Sequence, residues 1–201
     1  RNNMETKNTD FDEAQALKLI ESTIQQARNR MGEDGFIFLL WGWIVLSGSL
    51  MSYIFLHIGY AIGVGIAWAV LSIAGGFISG HYYRKKRIRE GGYAHVSRLI
   101  GYVWGATGLG AGIFYFYLII NGPGELINPF VLCAAGIATF ATGRVIRFKP
   151  LIAGGISFWI FALFALIFRS DIQFLLSAAA MITGYLIPGY ILRSIYRKSH
   201  V

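Results

Sequence analysis

Charge is missing from most of this chain. Six runs, 35–58, 59–80, 99–120, 126–143, 151–168 and 172–192, contain no Asp, Glu, Lys or Arg. Charged residues make up 14% of the sequence, against about 25% in a soluble domain. Cys133 is the single cysteine, which excludes an intrachain disulfide and a thiolate metal cluster. Inside an apolar run it reads as a small packing side chain. No carboxylate lies in any run, so the group that proton-coupled transport usually places within the bilayer is absent. Of the histidines, His57 falls at the end of the first run and reads as an interfacial side chain. His81 and His95 flank the segment between the second and third runs and read as solvated. Serines are plentiful, but no base stands at a defensible spacing from any of them. There is no HExxH, no phosphate loop and no GxSG, since Phe77-Ile78 precede Ser79-Gly80. The sequence thus nominates no catalytic, cofactor-binding or metal-ligating residue and points away from an enzyme.

What is present is length and apolarity. At about 1.5 Å per helical residue, each run matches a hydrocarbon layer about 30 Å thick. The expected fold is an all-α integral membrane protein: six transmembrane helices as three hairpins over 35–192, an amphipathic segment at 1–34 and a tail at 193–201. The first run follows a polar segment and is long enough to stay in the membrane, which is not the pattern of a cleavable leader. Lys and Arg number five in 1–34, six in 81–98, three in 144–149 and three in 193–198, and the opposite connectors hold only Arg169. That bias marks one side as cytoplasmic and places both termini there.

Residues 9–31 read as a helix capped by Thr9 or Asp10, with Asp12 and Glu13 in its first turn. Leu17, Ile20, Ile24, Ala27 and Met31 recur at three- and four-residue steps as one apolar stripe. The stripe packs on the chain's own cytoplasmic loops, lies in the headgroup region, or pairs with another chain. Asn128 and Pro129 read as cap and first turn of the fourth helix, and Pro150 opens the fifth. Pro188 deprives the carbonyl of Gly184 of its partner and should bend the sixth. Hairpins one and two align without gaps at an offset of 63, with Trp41-Gly42 on Trp104-Gly105, Gly59 on Gly122 and Phe77 on Phe140.

Glycine supplies the main intramembrane signal. Gly101, Gly105, Gly108 and Gly112 share one face of the third run, and Gly76 and Gly80 form a second pair. Faces without side chains admit a neighbouring backbone, so the third helix is expected at the centre of the bundle, with a homodimer contact as the alternative. Trp41, Trp43 and Trp104 read as part of an aromatic belt, and Trp68 and Trp159 as lipid-facing or core-filling. Arg84, Lys85, Lys86, Arg87 and Arg89 read as a topology anchor that attracts anionic headgroups. A connector of this length supplies no folded surface for nucleic acid.

The segment 11–43 resembles the start of an uncharacterised family of small bacterial multi-span proteins. The resemblance is carried by the acidic-capped helix, Gly35-Phe36 and the run Leu39-Leu40-Trp41-Gly42-Trp43. It implies a bacterial inner-membrane location and transfers no activity and no site residue. Two functional expectations follow. One is a non-enzymatic membrane module, a sensor, regulator or assembly partner acting through helix 9–31 and the basic connector. The other is a small transporter or channel with a polar mid-membrane cavity lined by Ser47, Thr107, Thr139 and Thr183.

Overall fold

A computed structural model describes residues 2–90, 95–168 and 170–198, with the side chains of 2–14, 23–34, 86–90, 95–97, 170, 196 and 198 outside the description. Every regular element in it is helical: α1 (Asn2–His57), α2 (Ala61–Glu90), α3 (His95–Asn121), α4 (Ile127–Val145), α5 (Lys149–Ile167), α6 (Ser170–Met181) and α7 (Ile187–Lys198). Six segments are long and apolar enough to cross a membrane: Gly35–His57, Ala61–Lys85, Arg98–Asn121, Gly124–Val145, Lys149–Ile167 and Asp171–Ile195. These are spans one to six of a multi-pass, all-α membrane protein. The end of the bundle that carries both chain termini is called proximal below, and the opposite end distal.

Two connectors differ from expectation. The basic segment after span two is helix rather than loop, because α2 runs on through Glu90. Arg, Lys and Glu all favour helix, so the chain has no reason to unwind on leaving the apolar layer. Likewise α1 is unbroken from Asn2 to His57, and neither Gly32 nor Gly35 interrupts it.

The distal turn between spans one and two ends α1 in a Schellman motif. Tyr60 N–H donates to Phe55 O (2.8 Å) and Gly59 N–H to Leu56 O (3.2 Å). Gly59 holds φ +76°, and the Phe55 and Tyr60 rings meet edge-on at 5.7 Å, completing the hydrophobic half of the motif. In span six, Pro188 has the expected consequence in an unexpected form. The helix widens to a π-helical segment, Ile182–Leu186, in which Ile187 N–H reaches back to Ile182 O. A wider turn accommodates the missing proline donor without ending the helix.

Spans one, four, five and six form the packed core. Each hairpin is in contact, span one packs against all three helical segments of span six, and spans four and five share an extensive contact of their own. It is made by glycine. A Cβ on Gly155 would stand 2.6 Å from Phe140 N, and one on Gly143 would stand 2.7 Å from Ile152 N. On the other side of span five, a Cβ on Gly154 would stand 2.7 Å from Gly184 O, the carbonyl deprived by Pro188. Such approaches let dispersion forces hold helices that have no hydrophobic drive in lipid.

Span three is at the edge of the bundle, not its centre. Only 6% of its apolar window is buried. A Cβ on Gly101, Gly105, Gly108 or Gly112 would meet nothing within 4 Å, and the same holds for Gly76 and Gly80 in span two. The expected interior packing of these six glycines does not occur among the described residues. Glycines that do pack include those at 42, 136, 143, 154, 155 and 184 on spans one, four, five and six, and Gly75 on span two, which faces Ile44 and Trp41 of span one.

Candidate functional site

The interior differs between its two halves. The proximal half is filled by rings. Phe158, fully buried, meets Tyr185 edge-on at 5.2 Å, and Tyr185 also contacts Phe38 at 5.8 Å and Trp104 at 6.3 Å. These four side chains come from spans five, six, one and three and close the space between spans one, three and five.

The distal half is open. A cleft of about 600 Å³ lies between spans one, two, three, four and six, within the range of about 300–1,000 Å³ that small-molecule pockets occupy. Its floor is buried and includes Ser49, Leu132, Gln173, Ser177 and Met181, whereas Ser72, Tyr115, Gly124 and Val131 at its rim are exposed. Val64, Trp68 and Phe174 add apolar wall. Spans two and three face each other across the opening and make at most marginal contact.

The polar groups of the floor carry no charge. Ser177 Oγ donates to Asn128 Oδ1 at 2.6 Å, and Gln173 Nε2 donates to Ala165 O at 2.7 Å and Phe168 O at 3.2 Å. Two polar atoms are left over. Ser49 Oγ and Asn128 Nδ2 are both buried without a hydrogen-bond partner. An unpaired buried donor costs about 1–3 kcal/mol, so these two atoms mark where a ligand or water would be held most strongly.

Asn128 was expected as a helix cap. A 3₁₀ turn over Gly124–Leu126 opens span four earlier, and α4 already begins at Ile127. The amide is therefore free to cross to span six. Of the cavity residues expected from sequence, Ser47, Thr107, Thr139 and Thr183, none lines the cleft. Ser47 is exposed, being two residues and about 200° of helix away from Ser49. Thr183 shares a hydrogen bond with Ser157 (3.0 Å) beside the π-helical segment.

The tryptophans also make bonds between spans, which neither the belt reading of Trp41, Trp43 and Trp104 nor the lipid-facing or core-filling reading of Trp68 and Trp159 includes. Trp41 donates to Ser79 Oγ (3.1 Å), Trp68 to Ser52 Oγ (2.9 Å), Trp104 to Thr142 Oγ1 (3.0 Å) and Trp159 to Cys133 O (3.2 Å). Trp43 reaches Tyr190 Oη at 3.4 Å. Every indole of the chain thus ties one span to another. The bonds from Trp41 and Trp104 both span 38 residues, so the offset that aligns the two hairpins in sequence also carries this cross-link.

On the proximal side, Leu17 and Ile20 are 64% and 53% exposed, so this part of the stripe is not covered by the described residues. Ile24 lies outside the described side chains, as do Lys86, Arg87 and Arg89. Arg84 and Lys85 are exposed. Lys85 borders a shallow groove of about 450 Å³ with Phe36, Phe77, Ile78, His81 and Tyr82. The free thiol of Cys133 is exposed on span four. No group of three or more His, Cys, Asp or Glu among the described residues could hold a metal ion.

No family model matches this chain, and no curated protein and no solved structure is significantly similar to it. The functional reading therefore rests on the geometry.

Proposed function

We propose that this chain is a non-enzymatic module of the bacterial inner membrane, with both termini cytoplasmic, that relays the state of the membrane region to a protein partner through its N-terminal helix. The observation that supports this most directly is the continuity of α1. One unbroken helix carries the exposed residues 15–22, passes through span one and contributes Val45 and Ser49 to the cleft. A rigid element that touches both a binding space and a free surface can couple them, since displacement at one end is not absorbed by a hinge. The exposed Arg84 and Lys85 would hold the proximal end against anionic headgroups, each charge contributing about 1 kcal/mol. Deleting residues 1–31 from the full chain should abolish co-purification and crosslinking of a partner while leaving membrane insertion intact. Unchanged capture, or no crosslinked partner with the intact chain, would overturn this reading.

The cleft favours a second reading, a small transporter with its distal side open. The ring cluster of Phe38, Trp104, Phe158 and Tyr185 would then be the closed gate. Uptake of a neutral solute into vesicles containing the protein, abolished by Asn128→Leu, would support it over the first.

A further inference from the structure

We infer that the distal cleft is a binding site for a neutral glycerolipid of the diacylglycerol class, taken up laterally from the bilayer between spans two and three. This goes beyond the proposed relay and does not depend on the N-terminal helix.

Three observations carry it. The first is the pair of unpartnered buried atoms, Ser49 Oγ and Asn128 Nδ2, on the wall of a 600 Å³ cleft. Ser49 is completely buried, and both groups can donate to oxygen. They call for a ligand with at least two oxygen acceptors, because each unmatched donor is costly where water is scarce.

The second is the chemistry of the lining. Among the described residues it holds no Asp, Glu, Lys, Arg or His, and its polar members are serines, an asparagine, a glutamine, an indole and a phenol. A phosphate or an ammonium placed on this floor would be desolvated without a counter-charge, at a cost far above one hydrogen bond. A neutral ligand is not penalised in this way. The walls of Val64, Trp68, Val131, Leu132, Phe174 and Met181 suit acyl methylenes.

The third is depth. Asn128 is four residues inside the distal end of span four, and Ser49 is eight residues inside that of span one. At about 1.5 Å per residue these are about 6 and 12 Å, below the interfacial layer that holds phospholipid headgroups. A phospholipid is held at the surface by its phosphate. A diacylglycerol lacks that anchor and can sink until its two ester carbonyls meet the amide of Asn128 and the hydroxyl of Ser49. The exposed rim residues Ser72 and Tyr115, on the facing spans, leave the cleft accessible from the lipid.

The test uses the full chain in phosphatidylcholine vesicles and diacylglycerol brominated along its acyl chains, with Trp68 as the reporter. Bromine in van der Waals contact quenches indole emission, and the difference between the wild type and Trp68→Phe isolates the signal of this wall residue. Brominated diacylglycerol should quench Trp68 saturably and more strongly than brominated phosphatidylcholine at equal mole fraction. It should compete about fivefold better than the dialkyl ether analogue, which lacks ester carbonyls, a ratio that one neutral hydrogen bond supports. Asn128→Leu should remove the ester preference. Because that change also breaks the bond from Ser177, Ser49→Ala serves as the second variant. It leaves that bond in place, should keep the thermal midpoint and should weaken the preference. Equal quenching by the two brominated lipids overturns the proposal, as does equal competition by ester and ether. A preference that survives in both variants overturns it too.

Discussion

A methyl group added at Gly155 would stand 2.6 Å from Phe140 N, whereas one added at Gly105 would meet nothing within 4 Å. Both glycines lie inside transmembrane helices, yet their substitution by alanine should act in opposite directions. Gly155→Ala must push spans four and five apart, at a cost of about 1–3 kcal/mol. Gly105→Ala only removes backbone freedom and should be neutral or stabilise by about 0.5–1 kcal/mol. Reversible unfolding of the two variants in one detergent measures the contrast. A destabilised Gly105→Ala would show that something outside the chain covers that face. The sequence does not distinguish the two glycines for a physical reason. In water, polarity separates the outer face of a helix from its packed face, but lipid is as apolar as a protein core. The regular spacing of Gly101, Gly105, Gly108 and Gly112 marked a smooth face and said nothing of what lies against it. Packing glycines such as Gly136, Gly154 and Gly184 were missed because their partners are distant in sequence. The site residues were hidden in the same way. Ser49, Asn128, Gln173 and Ser177 are spread over three spans, and nothing local sets them apart from Ser47 or Thr183.

Helix ends were more legible than helix faces. Gly59 closes span one in the left-handed conformation, as a glycine between two apolar runs implies. Pro150 stands in the first turn of α5. The motif that ends span four was not legible, because it is a second Schellman motif built without glycine. Phe148 N–H donates to Gly143 O (2.9 Å) and Arg147 N–H to Arg144 O (3.3 Å), with Arg147 at φ +52°. A side chain with a Cβ is strained by about 1–2 kcal/mol in that region. Buried Phe148 and the two carbonyls that are satisfied hold it there. Arg147→Gly should therefore raise the unfolding free energy by about 1 kcal/mol, seen as a higher thermal midpoint with no change in helicity. A lower midpoint would mean that the guanidinium contributes more than its backbone strain costs. The pairing of Trp41 with Ser79 and Trp104 with Thr142 gives the sequence offset a physical content, since the first two hairpins are tied by the same bond at the same position. Asn128 shows the converse, where a residue suited to capping is released by a preceding 3₁₀ turn and used across the bundle.

At the scale of the molecule, the six charge-free runs and the placement of Lys and Arg led directly to six helices with both ends on one side. What they could not show is that the bundle is filled on its proximal half by Phe38, Trp104, Phe158 and Tyr185 and open on its distal half. Hydropathy averages over all directions around a helix and carries no record of depth between helices. The charge bias does carry a sense of direction, and it can be tested on the whole chain. Cys133 is the single cysteine, so a Cys133→Ala background makes every introduced thiol unambiguous. Ser22 and Glu125 are both exposed, Ser22 ahead of the proximal end of span one and Glu125 at the distal end of span four, as its second residue. With the cationic end in the cytoplasm, a membrane-impermeant maleimide added to intact cells should modify Glu125→Cys and leave Ser22→Cys untouched until the cells are lysed. The reverse pattern would put the cleft on the cytoplasmic side, where a transporter reading would need the opposite gate to be the closed one. Labelling of both positions from the same side would leave an odd number of crossings between them unaccounted for and would break the six-span arrangement itself.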